Sequence, residues 1–416
     1  KVWTTEMDTL FNQGNLYIID FRIYELLEPQ ETDGLQRFTP STFTWLKRNP
    51  LTKNITPFAI HVAGHNGSNA QFYERKSATD SAWLYALQAV KVSITVYGIW
   101  LGHVYHWHLV TAAMVMTMLN NLPTTHIVYS ILAPQSKHII GFNDALILLW
   151  KQAAPPTSIK TAHQFLELID EFAKERSFFD DDPTTTIKKL GLVEADFTVA
   201  KKWDKYPIIA YLLDIWDIVT DYVDEFVDLS YADNKAITDD EHLQEWITAS
   251  GNSEGGNIKG LPEMKDKAAL KKVLTSMLYR ITAHGISRLD NTANPGMSFV
   301  GNYPPCLQSS HIPAASSSFT TKELLQYMPN TGTIGEMITF YYTFADSAPY
   351  EPIIPLTVLN NDLFFTGKNA IKLNLALIKF GKKLIDFMNA YAEANKMPNL
   401  PAETAQIHQW PMGIET

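Results

Sequence analysis

The spacing of apolar residues changes from a strand pattern to a helical pattern at Asp80. Before that point, short apolar runs at residues 14–21 and 58–62 predict two strands. After it, apolar residues recur at intervals of three and four, which is typical of helices with a buried face. The predicted helices cover residues 83–119, 141–152, 159–176, 207–231, 241–250, 267–289, 322–345 and 369–395. The pattern therefore predicts a mostly α protein with minor β structure.

Residues 92–119 contain no Asp, Glu, Lys or Arg, and a stretch of this length is long enough to cross a lipid bilayer. Its centre carries three histidines, His103, His106 and His108, and burying an imidazole in the hydrocarbon of a bilayer costs free energy. The chain has no second stretch of this kind. A helix that is apolar on all sides is also what the centre of a large helical domain requires. We therefore expect a long buried central helix and no transmembrane segment.

Short loops of mixed composition separate the predicted helices, at residues 154–157, 179–183, 251–260 and 303–318. None of them resembles an interdomain linker, and the sequence shows neither an internal repeat nor a low-complexity tract. This organisation predicts a single domain over residues 1–416.

The charge balance bears on the partners of the chain. Its 34 Lys and Arg residues against 44 Asp and Glu give a formal net charge of -10, which disfavours nucleic acid as a partner. Cys306 is the single cysteine, so an internal disulfide and a thiolate metal cluster are excluded. Because the chain begins with Lys1, a leader could have been removed, and we expect a soluble protein that is either cytoplasmic or secreted. The sequence leaves the oligomeric state open.

The histidines at 103, 106 and 108 are the densest group of candidate metal ligands. On a regular α-helix, His103 and His106 share a face, and His108 points about 140° away from His103. The three imidazoles then cannot meet at one ion unless the helix is distorted. A simple zinc site is disfavoured, and buried histidines with hydrogen-bonded ring nitrogens are the favoured interpretation.

A longer spacing connects these histidines to a known family. The series His103-x4-His108-x17-His126-x8-Gln135 resembles the lipoxygenase signature His-x4-His-x4-His-x17-His-x8-His, with Gly98 in the place of its first histidine. Further segments resemble family landmarks in the same order, at residues 14–20, 204–207, 216, 243–246, 303–304, 380–384 and 410–416. The resemblance implies a compact lipoxygenase-like helical catalytic domain around the long buried helix, without an N-terminal β-barrel domain. It also implies an internal cavity for a long apolar substrate.

The resemblance implies a metal centre with an unusual ligand set. Lipoxygenases hold a non-haem iron or manganese with two histidines five residues apart on a π-distorted helix, a third histidine, a nearby Asn, Ser or His, and the terminal carboxylate. The matching positions are Gly98, His103, His284, Arg288 and Thr416. A guanidinium has no lone pair to donate and repels a cation, so Arg288 favours a lost metal and no cofactor.

Two alternatives keep the metal. In the first, His103, His284 and the carboxylate of Thr416 form the facial triad of ferrous oxygenases, with Ser287 as a weak oxygen ligand if the alignment shifts by one residue. In the second, His103 and His108 are themselves the first two ligands, five residues apart. Either case makes iron or manganese the alternative cofactor.

These residues lead to three functional hypotheses for an apolar small-molecule substrate. The first is a metal-independent isomerase or cyclase, including a pericyclic one, of a polyene, terpenoid or polyketide. In this scheme Arg288 stabilises developing negative charge and His103 or His284 acts as acid or base, while Gly98, His108 and Ser287 contact the substrate. The second is a dioxygenase of polyunsaturated fatty acids, and the third is a lipid-binding pseudoenzyme without turnover.

Overall fold

The computed structural model describes residues 4–32, 34–77, 80–136, 139–141, 143–144, 155–281, 303–345, 351–352, 364–394 and 413–414. Helices dominate these residues, and the strands form only small sheets. The predicted mostly α fold is therefore confirmed.

A small antiparallel sheet follows the first helix, α1 (Thr5–Asn12). Its order is β1-β4-β5-β6, and a separate hairpin joins β2 to β3. The strands are β1 (Leu16–Asp20), β2 (Gln30–Thr32), β3 (Leu35–Arg37), β4 (Ser41–Arg48), β5 (Ile55–Ala63) and β6 (Gln71–Glu74). Strands β1 and β5 confirm the two predicted strands. The sequence does not reveal β4 because its polar Ser41, Thr42 and Thr44 are buried, which removes the usual alternation of polar and apolar residues.

The apolar stretch forms the central helix of the protein. Helix α2 (Ser81–Val96), the π-helix Tyr97–Leu109 and helix α3 (Val110–Asn121) are continuous over 41 residues. By length and composition this helix could cross a membrane, but 61% of its most apolar window is buried inside the protein. Its first half packs with the sheet in one apolar core, and its second half packs with later helices in another. The expected buried central helix is confirmed.

The second apolar core surrounds α3. Among the described residues, the α-helices after α3 are α4 (Ile127–Ser136), α5 (Ala162–Ala173), α6 (Pro183–Lys189), α7 (Pro207–Ser230), α8 (Asn234–Thr238), α9 (Glu241–Gly251), α10 (Lys267–Tyr279), α11 (Thr321–Leu325), α12 (Thr331–Ala345) and α13 (Ala370–Ala394). Helix α7 packs against both α10 and α13. The fully buried Trp246 of α9 donates its indole N–H to the carbonyl oxygen of Met114 at 3.1 Å, which ties α9 to α3.

Three predicted helices differ from the observed ones or extend beyond the described residues. The stretch predicted as one helix over residues 322–345 is two helices, α11 and α12. Pro329 cannot donate the backbone hydrogen bond of a helix interior, and Asn330 starts α12 by accepting the Thr333 N–H at 2.8 Å. The predicted helices 141–152 and 267–289 extend beyond the described residues, although α10 continues in π geometry through residue 281.

Candidate functional site

His103 and His108 lie on the π-helix, in the middle of the central helix. A π-helix forms its hydrogen bonds between residues five apart, so residues at this spacing lie close together on one face. The two Nε2 atoms are 3.0 Å apart, and the ring planes meet at 74°. The π-distorted helix that the resemblance implies is therefore confirmed. The expectation that His108 points away from His103 holds for a regular helix and does not apply to this distorted one.

Asn143 fixes the orientation and the tautomer of His108. His108 Nδ1 donates to Asn143 Oδ1 at 2.9 Å, and Asn143 Nδ2 donates back to the His108 carbonyl oxygen at 3.4 Å. With its proton on Nδ1, the neutral His108 ring carries its lone pair on Nε2. His103 Nε2 then holds the proton of the 3.0 Å hydrogen bond, and this proton must leave before that nitrogen can bind a metal ion. His108 is only 1% exposed, so the protein and not the solvent sets this geometry.

The pair has the geometry that one metal ion requires of two ligands. Two imidazole nitrogens at about 2.1 Å from one ion and at a right angle to each other are about 3.0 Å apart. The observed Nε2–Nε2 separation of 3.0 Å matches this value. Ligand histidines also commonly donate their other ring N–H to a carbonyl or carboxylate oxygen, which is what His108 does with Asn143. His103 and His108 therefore fit a first-row transition metal.

Further ligands would have to come from outside the described residues. Within that part of the chain, no group of three His, Cys, Asp or Glu side chains is placed to hold a metal ion. His284, Ser287, Arg288 and Thr416 lie outside the described residues, so their predicted roles as acid or base, substrate contact, electrostatic group and ligand stay predictions.

Gly98 lies five residues before His103, which is the spacing of one hydrogen-bonded repeat of a π-helix. It is exposed, and a Cβ built on it would meet no described atom within 4 Å. The position therefore has space for a larger side chain, including the histidine of the family signature. Its predicted contact with the substrate stays a prediction.

His106 contacts a different part of the molecule from the His103–His108 pair. Its Nδ1 lies 2.7 Å from Asp181 Oδ2, at the end of the short 3-10 helix Phe178–Asp181 that precedes α6. Burial lowers the pKa of His106 below its usual value, although the adjacent carboxylate of Asp181 opposes the shift. The ring is therefore neutral at pH 7 and donates its Nδ1–H to Asp181. The interpretation of a buried, hydrogen-bonded histidine fits both His106 and His108. It does not anticipate that His103 and His108 converge.

The fold and the site can be compared with known proteins. The family model described as Lipoxygenase matches residues 4–333 of the chain. The chain belongs to the lipoxygenase family. The human polyunsaturated fatty acid lipoxygenase ALOX15B is 22% identical over 319 residues, covering 73% of this chain and 44% of that protein. Linoleate 9S-lipoxygenase 1 of Phaseolus vulgaris is 24% identical over 397 residues, covering 87% of this chain and 44% of that protein. The chain thus spans about half the length of these lipoxygenases.

Solved lipoxygenase structures share the fold. A fungal lipoxygenase from Fusarium graminearum superposes with a TM-score of 0.79 at 17% identity, covering 97% of this chain and 67% of that one. The coral 8R-lipoxygenase superposes with a TM-score of 0.78 at 18% identity, covering 98% of this chain and 60% of that one. The predicted lipoxygenase-like fold is therefore confirmed.

Three residues at this candidate site escaped sequence reasoning. They are Asn143, which orients His108, and the pair of Asp181 and Arg280, which contacts the π-helix next to His106. Arg280 is 2% exposed, and its guanidinium donates to Asp181 Oδ2 at 2.9 Å. One signal was available, because Arg280 is a single charge on the apolar face of α10 and the acidic run 180–182 offers it a partner. Asn143 gave no comparable signal.

A cavity of about 280 Å³ borders the π-helix on the side of His106. Leu109, Arg176, Lys259 and Arg280 are among its lining residues, whereas neither His103 nor His108 lines it. This cavity is therefore separate from the histidine pair. The internal substrate cavity that the family resemblance implies stays a prediction.

Proposed function

We propose that this lipoxygenase-family chain is an enzyme that holds a non-haem iron or manganese ion with His103 and His108 and dioxygenates an apolar polyunsaturated acyl chain. The observation that carries the proposal is the 3.0 Å separation of the two Nε2 atoms on the π-helix. The names of the relatives, a polyunsaturated fatty acid lipoxygenase and a linoleate lipoxygenase, support the class of substrate.

The ligand set of this proposal combines described and undescribed residues. His103 and His108 supply two imidazoles, and Asn143 keeps the proton of His108 on Nδ1, away from the coordinating nitrogen. His284 and a terminal carboxylate are the additional candidates that the family resemblance indicates. Two histidines with one carboxylate already make a set that suits non-haem iron. The proposal therefore does not need Arg288 as a ligand.

When bound, the metal would supply the redox chemistry that joins molecular oxygen to an unsaturated chain. The chain's own residues provide the environment. The neutral imidazoles favour a cation by lone-pair donation and add no charge of their own. Trp107, which is fully buried, stacks near His103 at a ring separation of 5.9 Å and helps to exclude water from the pair. A dry site protects reactive intermediates from side reactions.

The first hypothesis from the sequence, a metal-independent isomerase or cyclase using Arg288, stays a prediction. It shares the fold and the apolar substrate with the proposed dioxygenase but requires that no metal be retained. A lipid-binding pseudoenzyme requires in addition that there be no turnover. Substrate assays that follow oxygen consumption and product identity separate these three functions.

The test is oxygen uptake and conjugated-diene absorbance with linoleate and arachidonate, using protein produced in iron- or manganese-supplemented medium. We expect turnover that His108→Gln abolishes, because glutamine removes the imidazole lone pair. The matched control is His163→Gln, since the side chain of His163 is 80% exposed on α5. Equal oxygen uptake by both variants would contradict the assignment. Consumption of the lipid without oxygen would support the isomerase hypothesis, and binding without consumption would support the pseudoenzyme.

A further inference from the structure

Arg280 joins α10 to the π-helix through a buried polar cluster. Its Nη1 donates to the carbonyl oxygen of His106 at 2.6 Å and to Asp181 Oδ2 at 2.9 Å. Its Nη2 donates to the carbonyl oxygen of Phe178 at 2.7 Å. In the opposite direction, the Trp107 indole N–H donates to the carbonyl oxygen of Arg280 at 2.8 Å. Two consecutive residues of the π-helix are thus hydrogen-bonded to residue 280 in both directions.

We propose that Arg280 and Asp181 are positioning residues, which fix the π-helix so that the Nε2 atoms of His103 and His108 stay together. The inference rests on the proposed function, because the pair is assigned there as metal ligands. His106 lies between the two histidines in the sequence, so a hydrogen bond to its carbonyl group constrains the turn that joins them. Asp181 closes the cluster from the other side by contacting both the His106 ring and the Arg280 guanidinium.

The cluster is not an efficient way to stabilise the fold. Burying an arginine and a carboxylate costs desolvation energy that their attraction often fails to recover, and apolar packing of similar volume is commonly as stable. Two further nitrogens, Arg280 Nε and His106 Nε2, are buried and have no hydrogen-bond partner among the described residues. Unsatisfied buried polar atoms are expensive. What the cluster does provide is direction, because charge-assisted hydrogen bonds to fixed carbonyl groups tolerate little displacement.

The position of Arg280 in the sequence gives the cluster a second consequence. Arg280 precedes His284 by four residues in the sequence. One side chain therefore connects the helix that carries His103 and His108 with the chain segment that carries the third candidate histidine. A shift of α10 relative to the π-helix would break the hydrogen bonds of both Arg280 and Trp107.

The experiment uses the double variant Arg280→Met with Asp181→Asn, so that neither charge is left buried without its partner. The probe is Co²⁺, titrated into metal-depleted protein and followed by visible absorption, with thermal unfolding measured in parallel. We expect Co²⁺ to bind about 10–100-fold more weakly, in line with other residues that orient metal ligands. In oxygen-uptake assays kcat should fall while KM for the lipid changes little. Arg280→Lys, which keeps one charged donor, should be intermediate.

The matched control is the double variant His126→Gln with Asp240→Asn. His126 Nε2 and Asp240 Oδ2 form a similarly buried pair at 3.0 Å, which ties the start of α4 to the start of α9. This variant should lower the unfolding temperature without weakening Co²⁺ binding. If the Arg280 double variant binds Co²⁺ as tightly as the wild type, or if the control loses as much affinity, the positioning role is wrong.

A separate measurement keeps this inference distinguishable from the proposed function. Hydrogen–deuterium exchange of the metal-depleted protein reports on the π-helix whether or not a metal ever binds. We expect faster exchange at residues 97–109 in the Arg280 double variant and unchanged exchange there in the control. Failure of the wild type to bind Co²⁺ would count against the proposed function. Unchanged exchange at residues 97–109 would overturn the positioning role itself.

Discussion

The role of Asn143 gives a quantitative prediction about the histidine pair. Asn143→Leu keeps the approximate volume of the side chain but removes the acceptor for His108 Nδ1–H at 2.9 Å and the donor to the His108 carbonyl group at 3.4 Å. The His108 ring is then free to rotate or to place its proton on Nε2, where it blocks coordination. Loss of such a partner typically costs about 10–100-fold in metal affinity, which is about 1.4–2.7 kcal/mol of binding free energy. Stability should fall by about 1–3 kcal/mol, because a buried donor is left unsatisfied.

The assay is a Co²⁺ titration of metal-depleted protein together with its thermal unfolding. Asn143→Asp retains an acceptor for the Nδ1 proton, so this variant should bind Co²⁺ at least as tightly as the wild type. The control is Asn374→Leu, since Asn374 is 4% exposed and accepts from the Phe364 and Phe365 N–H groups, remote in sequence from the π-helix. Asn374→Leu should destabilise the fold and leave the affinity unchanged. If Asn143→Leu lowers the unfolding temperature but not the affinity, our account of His108 is refuted.

Three predictions concern the rest of the fold. Burial raises the pKa of Asp182 to about 7, although the hydrogen bond from the Ser276 hydroxyl opposes the shift. The folded state therefore keeps a proton that the unfolded chain releases near pH 4. The free energy of unfolding should fall as the pH rises from about 4 to about 7. Asp182→Asn should therefore raise the unfolding temperature at about pH 8 and change it little at about pH 4; equal shifts at both would contradict this. Gly98→Ala should stabilise the exposed helical position by about 0.5–1 kcal/mol in denaturant unfolding, and a loss would mean that the π-helix requires glycine there. Leu274→Ala removes a fully buried side chain of α10 and should cost about 2–5 kcal/mol, whereas a cost below 1 kcal/mol would show that this core is loosely packed.

The long helices were predictable because their buried residues are apolar and recur at the helical spacing of three and four. Residues 207–231 were predicted as a helix, and α7 runs from Pro207 to Ser230. A proline at the first helical position and apolar residues along one face both favour a helix over these residues. Strand β4 was not predictable in the same way, since the buried hydroxyl groups of Ser41 and Thr42 are satisfied by tertiary contacts. Thr42 Oγ1, for example, donates to Ser93 Oγ of α2 at 2.9 Å.

The sequence identified two residues of the candidate site but neither their geometry nor the residues that contact them. Spacing and family resemblance singled out both histidines, but the favoured match for the ligand pair was Gly98 with His103, and His103 with His108 was an alternative. A turn of about 100° per residue separates His103 from His108, whereas the π-helix brings their Nε2 atoms to 3.0 Å. The apolar sequence around them has no local feature that specifies π geometry. The contacts of Arg280 with the turn at His106 come from α10, which is remote in sequence, so pattern analysis along one helix cannot reveal them.

The most direct test of the proposed metal centre is elemental analysis for iron, manganese and zinc. It requires the wild-type protein, with its natural C-terminus, from metal-supplemented medium, beside the double variant His103→Gln with His108→Gln. Our account predicts close to one iron or manganese per chain in the wild type and loss of that metal in the variant. A folded wild-type protein without bound metal, or a variant that retains the metal, would contradict it.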